Sequence, residues 1–449
     1  MAIRCLVMGF SPMHVILAAA AVRTLHPAAD VECRVVLGEV SGLGPTDAEH
    51  LIETLRALSK ALLQPISFTV VAHTWLTERT AVGLRTSLVS ALHDRVGWDQ
   101  ADELYFCHDA TGTLYQSLCI AFPAAQRVCY GDNIGLATTL EDAVAHSWPD
   151  HPRLTVPALK RLHLCRRMAA RWRLDALEKI ERDNWPEPGF VGRLYFPPHL
   201  YCMSLPHLDS SVGPTSDALR VVPRKVVADC LEQAAAALGV ADYECRLLDQ
   251  IVGSQPPVLL MTAYLFETGY IASLEKEVGL LAEAVAPLIG SRGTVFIKPH
   301  PHEIQSRIPA LRKRLGAGVT VVELDRRFAR VPIEAFVALC RASHVCGFSS
   351  AVLSLKHLYG IDTVQPVTPT VLKERITPSH RSMLARTVSI MDEVIARLPA
   401  WNGTGWIFRN DADPPGSGVK EGGIVENFDR LLSESGVVSV SVRASDVVG

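Results

Sequence analysis

Arg4-Cys5-Leu6-Val7-Met8-Gly9-Phe10-Ser11-Pro12-Met13-His14-Val15-Ile16-Leu17 lies at the head of the chain. An apolar run ends in glycine, a short polar loop follows, and an alanine-rich apolar stretch continues to Leu25. A continuous apolar run bounded this way reads as a strand covered on both faces. Followed by a loop and a helix, it is the opening unit of a parallel α/β sheet. The run ends at Phe10-Ser11-Pro12 and not at a small-residue cleavage site, so it reads as a first strand and not as a signal peptide.

The alternation continues outward from there. Strands are predicted over Glu32–Leu37, Ile66–Ala72, Glu103–Cys107 and Arg127–Tyr130, with helices over Ala48–Leu63 and Leu114–Ala121. Pro157–Asn184 reads as a helix pair dense in arginine. Pro186, Pro188, Pro197, Pro198 and Pro206 follow, then a polar run from Asp209 to Thr215, a composition shift that marks a boundary. A second block repeats the pattern. Strands are predicted over Val258–Thr262, Thr294–Lys298, Val319–Val322 and His344–Gly347, and helices over Leu274–Leu288, Glu334–Arg341 and Ser350–Tyr359. Two such halves in 449 residues predict a GT-B-like α/β fold. Its two Rossmann-like, doubly wound domains would face a cleft, and ligands bind such sheets at the carboxyl ends of their strands. The expected division is 1–215, 216–400 and a peripheral, weakly patterned segment 401–449.

Bulk properties narrow the class. The formal net charge is −3 and charged residues make up 20%, which excludes the strongly basic domain of a general nucleic-acid binder. The eleven cysteines are scattered singly, several in apolar runs (Cys5, Cys107, Cys119, Cys129, Cys340, Cys346), and no CxxC pair occurs. They read as reduced, buried thiols in a cytoplasmic protein, without a zinc or redox motif. No apolar run reaches the roughly 18 residues of a membrane span.

Three segments could carry chemistry. In Phe296-Ile297-Lys298-Pro299-His300-Pro301-His302-Glu303 a strand delivers Lys298 and His300 into a loop stiffened by two prolines. A rigidly held histidine suits a general acid near neutral pH. A surface turn is the plainer reading. In Val345-Cys346-Gly347-Phe348-Ser349-Ser350-Ala351 a strand ends in glycine and two serines open a helix, a ready anion site; taken alone, either serine serves equally as an N-cap. In Cys129-Tyr130-Gly131-Asp132-Asn133-Ile134-Gly135 a carboxylate sits in a glycine-flanked loop after a strand, where it could serve as a general base or only shape a turn. Asp109, in His108-Asp109 after another strand, is the second candidate base. Thr262-Ala263-Tyr264 and Glu267 follow a strand and could line a nucleotide site or cap a helix, and His302 and Glu303 could support the His300 loop. The single Asp-x-Asp, Asp411 to Asp413, stands away from any strand end and reads as a solvated loop, so no metal site is expected. The basic run Lys160-Arg161-Leu162-His163-Leu164-Cys165-Arg166-Arg167, continued by Arg171 and Arg173, reads as a solvated helix face or as a surface for peripheral contact with anionic lipid.

The ordered set resembles the bacterial sialyltransferases of the alpha-2,8-polysialyltransferase-like and lipooligosaccharide sialyltransferase type. Tyr130-Gly131-Asp132 looks like their acidic-Gly motif, with Asn133 as a departure from it. His300-Pro301 matches their HP motif with Lys298 two residues before, and Ser349-Ser350 matches their paired-serine motif. Val331-Pro332-Ile333-Glu334 looks like their Pro-x-Glu element, and Ser11-Pro12-Met13-His14 like their opening loop. The resemblance implies an inverting, metal-independent transfer of sialic acid, or a related nonulosonic acid, from a CMP-sugar to a glycan or glycolipid. Asp132 would be the base and His300 the acid. Lys298, Pro301, Glu334, Ser349, Ser350 and Thr262 would stand on the donor side, and Ser11, His14, Asp109 and Asn133 are acceptor-side or secondary candidates. It implies no cofactor, the CMP-sugar being a substrate, and no nucleic-acid partner. The alternatives are the same fold using CMP-Kdo, CMP-legionaminic or CMP-pseudaminic acid or a UDP-sugar, and a non-catalytic nucleotide- or carbohydrate-binding protein.

Overall fold

The computed structural model describes residues 2–38, 45–71, 85–107, 113–131, 198–205, 219–251, 256–290, 292–301, 303 and 305–398. They divide into two compact units, with the break between Val227 and Ala228. Each unit is a parallel sheet with helical connections, the Rossmann-like content expected from the alternating pattern.

The first unit holds β1 (Ile3–Gly9), β2 (Val31–Gly38), β3 (Ser67–Val71), β4 (Glu103–Cys107), β5 (Gln126–Gly131), β6 (Leu200–Met203) and β7 (Leu219–Val221). Their order is β3-β2-β1-β4-β5-β6-β7, and every pairing is parallel. All five residues of β4 are buried, as a strand covered on both faces requires. Helix Pro12–Leu25 follows β1. Ser11 caps it by accepting from the His14 N–H, and Pro12 stands where no helical donor is needed.

The second unit holds β8 (Val258–Met261), β9 (Gly293–Lys298), β10 (Val319–Glu323), β11 (His344–Gly347) and β12 (Thr363–Val364), in the order β10-β9-β8-β11-β12, again wholly parallel. The chain winds outward from β8 to β10 and then crosses to β11, so the winding direction switches between β8 and β11. Helix Leu274–Ile289 starts at Ser273, whose hydroxyl accepts from Lys276 N–H, carries Glu275 and Glu277 in its first turn, and stops at Gly290 with φ 60°. It packs Val278, Leu281 and Val285 against Val258, Leu260 and Val295. Each such side chain contributes about 1.5–3 kcal/mol on burial.

Two sequence expectations need correction here. The helix expected over Glu334–Arg341 is instead a 3-10 turn, Ile333–Ala335, and a separate short helix, Val337–Ala342. Phe336 breaks them at φ −89° and ψ 69°; its fully buried ring lies edge-on to Tyr243 and Phe328, and that packing holds its backbone outside the helical region. The proline-rich stretch read as boundary contains a strand, β6, and β7 follows it in the same sheet. Among the described residues no helix is long and apolar enough to cross a membrane.

Candidate functional site

Register builds the site in the second unit. Met261, Lys298 and Gly347, the last residues of β8, β9 and β11, are aligned across the sheet. The segments starting at Thr262, Pro299 and Phe348 therefore leave one sheet edge side by side, at the carboxyl ends and astride the winding switch, where open α/β sheets bind ligands. Gly347 is required for the approach: a Cβ there would lie 2.9 Å from both the Cβ and the carbonyl oxygen of Met261.

The His300 loop is braced from both flanks. Its backbone N–H donates to Thr262 Oγ1 at 3.0 Å and to Glu303 Oε1 at 3.2 Å. Thr262, 3% exposed, also contacts Glu303 Oε1 through its hydroxyl, and its N–H donates to the Lys298 carbonyl. The His300 ring stacks on Tyr264 with centroids 4.1 Å apart and planes 26° apart. Two prolines, two hydrogen bonds and one stacked ring thus fix both backbone and imidazole.

Behind the loop lies Arg307, 1% exposed. Its guanidinium donates to Glu267, to Glu277 at 3.1 Å and to the Gln305 carbonyl at 2.6 Å, and Glu303 Oε2 stands 3.7 Å away. Burial works against the charge of Arg307, yet hydrogen bonds to Glu267 and Glu277 hold it protonated, above its ordinary value. The carboxylates outnumber the cation. Burial pushes Glu303 up to about 7 against the pull of Arg307, and raises Glu277 for the same reason.

Lys298 is 9% exposed, and its Nζ donates to the Ala329 carbonyl at 2.6 Å. Burial lowers it to about 8, opposed by the charges of Glu334 and Glu303. Glu334, 3% exposed, sits in the 3-10 turn, and its carbonyl accepts from the buried Tyr359 hydroxyl. At β11, Ser349 and Ser350 divide their roles. Ser349 Oγ accepts from Ala351 N–H at 3.3 Å, whereas the Ser350 side chain makes no capping bond to helix Ala351–Tyr359. The helix starts just after β11, so its positive end lies at the sheet edge that the His300 loop also leaves, while its first three N–H groups donate to Ser349 Oγ and to the Ser349 and Ser350 carbonyls.

The structure thus brings Thr262, Lys298, His300, Pro301, Ser349 and Ser350 to one sheet edge, with Glu334 electrostatically coupled to Lys298. Glu303 supports the His300 loop as anticipated. Glu267 is held by Arg307. Thr262 caps no helix; it holds His300. Arg307 was not singled out in the sequence, and only its i,i+4 spacing from Glu303 could have drawn notice.

In the first unit, Ser11 caps its helix, and the His14 ring lies edge-on to Phe10 and Tyr130 at 6.4 and 6.5 Å. Tyr130 is fully buried, and its hydroxyl donates to the Met8 carbonyl, tying the end of β5 to β1. Asp109, Asp132, Asn133, His302, the basic run from Lys160 to Arg173 and Asp411 to Asp413 lie outside the described residues. The chain reaches the first two immediately after the ends of β4 and β5.

Comparison with known proteins places these features. The family model for alpha-2,8-polysialyltransferase (POLYST) matches residues 241–368. No curated protein sequence matches the chain. Among solved structures it is similar to the UDP-GlcNAc 2-epimerase of Neisseria meningitidis, at 11% identity and TM-score 0.44 over 90% of this chain and 96% of that one. It is similar to the GT-B domain of a Photobacterium damselae sialyltransferase, at 11% identity and TM-score 0.42 over 87% and 97%. A third is the ADP-heptose LPS heptosyltransferase II of E. coli, at 13% identity and TM-score 0.34 over 82% and 86%. The matched segment spans Thr262, Lys298, His300, Glu334, Ser349 and Ser350, and over it the chain is similar to the alpha-2,8-polysialyltransferase family.

Proposed function

We propose that the protein transfers a sialic acid, or a related nonulosonic acid, from a CMP-sugar to a glycan or glycolipid acceptor, with inversion and without a catalytic metal. The observation that carries this reading is the braced His300 on the same sheet edge from which helix Ala351–Tyr359 starts. CMP leaves with a single phosphate. One histidine, the Ser350 hydroxyl and the positive end of a helix suit that charge.

In this reading the bond from the anomeric carbon to the CMP phosphate oxygen breaks, and a bond from the acceptor oxygen to that carbon forms on the opposite face. Asp132 takes the acceptor proton, and His300 gives a proton to the departing phosphate. Lys298 and Glu334, buried and coupled, shape the nucleoside side, while Pro301 stiffens the loop. Thr262 acts through His300 and not on the donor itself, since its hydroxyl is engaged by the loop. Ser11 and His14 stand on the acceptor side, and acceptor recognition at a membrane surface would fall to the basic run.

The test is release of CMP from CMP-N-acetylneuraminic acid without added divalent metal and with brief EDTA, with and without a galactoside. Release that His300→Ala lowers by about 10²–10⁴ supports the acid role. Near-wild-type release by that variant removes it. A wild-type protein that neither releases nor binds CMP refutes the donor. Asp132→Asn should be inactive; if Asp109→Asn is the dead variant instead, the base is Asp109.

A further inference from the structure

At the other end of the first sheet, far from the strand carboxyl ends, three metal-binding side chains meet and a fourth stands in register beside them. Cys5 in β1 is in register with Cys33 in β2 and with Glu103 in β4. His26, the residue that ends helix Pro12–Leu25, reaches Glu103 Oε2 with Nε2 at 2.7 Å. Cys5 Sγ is 3.7 Å from the same oxygen, and Cys33 lies directly across from Cys5 on the neighbouring strand. The ligand atoms of Cys5, His26 and Glu103 all lie within 4.8 Å of one another. Cys5 is 0%, Cys33 3% and Glu103 6% exposed.

A buried carboxylate has to be protonated, paired with a cation or bound to a metal. Among the described residues the cationic partner of Glu103 is His26, which is charged only when protonated. Two thiols, an imidazole and a carboxylate on four separate segments are a ligand set for a tetrahedral ion. Thiolates select zinc over calcium or magnesium. Tyr105 donates its hydroxyl to Glu103, the outer hydrogen bond that orients a ligating carboxylate. The His26 side chain, 13% exposed, is the side open to solvent.

We propose that Cys5, Cys33, His26 and Glu103 bind one structural zinc ion that ties β1, β2 and β4 to the end of the first helix. Both thiols release their protons on binding, His26 binds neutral through Nε2, and Glu103 binds as carboxylate. The ion would lie about 13 Å along β1 from Gly9, so it takes no part in the transfer chemistry. The proposal stands independently of the donor assignment.

The test is the metal content of the full chain, purified without chelator, reloaded with zinc sulfate, desalted and assayed by inductively coupled plasma mass spectrometry. The expected result is about one zinc per chain, falling below about a tenth in Cys5→Ser and unchanged in Cys129→Ser, a buried thiol elsewhere in the sheet. Tyr105→Phe should weaken affinity roughly ten- to hundredfold. If Cys5→Ser does not fold, His26→Gln at the partly exposed position tests the same site. Cobalt exchanged into the wild type needs no variant; it should give thiolate-to-cobalt charge-transfer absorption. Wild-type protein that retains no zinc and shows no such band overturns the proposal. So does a Cys5–Cys33 disulfide in the purified chain, or full zinc occupancy in both ligand variants.

Discussion

Replacing Glu303 by glutamine tests the electrostatics behind the His300 loop. The amide keeps an oxygen for the Thr262 hydroxyl and the His300 N–H but cannot ionise. In the unfolded chain a glutamate titrates near 4.5, whereas burial in the fold holds Glu303 near 7. Between those values the native state keeps a proton that the unfolded state has released, so stability falls as pH rises through the window. Only 7% of the side chain is exposed, so solvent screening removes little of the effect. The ionised form therefore costs the fold about 3 kcal/mol once pH passes about 8, a cost the amide escapes. Glu303→Gln and wild type should be alike in stability at about pH 4, and the variant should be more stable by up to that amount at about pH 8, a shift of about 1 M or more in urea midpoint. Urea unfolding read by a brief deuterium pulse, in peptides covering β8 and β9, reports the second unit by itself. Midpoints that stay parallel between the two proteins across this pH range would refute the argument, and with it the claim that burial outweighs Arg307 at this carboxyl.

Arg307→Met strands Glu267, Glu277 and Glu303 without their cation and should destabilise the second unit by about 3–5 kcal/mol, seen in the same deuterium pulse. Gly347→Ala forces a methyl against Met261 and should cost about 1–3 kcal/mol, with faster amide exchange around Ser349 and Ser350 as the local readout. Tyr264→Leu removes the ring under His300; kcat should fall about tenfold or more, with CMP affinity by calorimetry unchanged. Lys298→Met should compare best with wild type near neutral pH, where wild type carries the buried charge. The comparison should turn against the variant as pH rises past about 8 toward 10.5, because wild-type Lys298 sheds its buried charge in that window while the unfolded chain keeps it.

Much of this arrangement was legible in the residues. β4 and β11 have the limits expected of them, Glu103–Cys107 and His344–Gly347, each a short apolar run entered from one polar residue. His300, Ser349 and Ser350 stood out because each follows such a run within three residues. β6 and β7 did not, since strands of four and three residues beside prolines show no period. The Arg307 hub was hidden for another reason: Glu267, Glu277 and Glu303 look like solvated charges until the loops fold over them. Cys5, His26, Cys33 and Glu103 likewise carry no spacing signal, because parallel register and not sequence distance brings them together.

Arg307 has a mechanical consequence. One guanidinium links the segment after β8 through Glu267, the helix Leu274–Ile289 through Glu277 and the loop after β9 through Glu303, and it stands at the start of helix Ile308–Leu315. Swinging any one of these outward exposes a mismatched charge in the others, so they open as a single cooperative foldon and not as independent flaps. On the proposed function, the donor is therefore received on an edge already in its working shape.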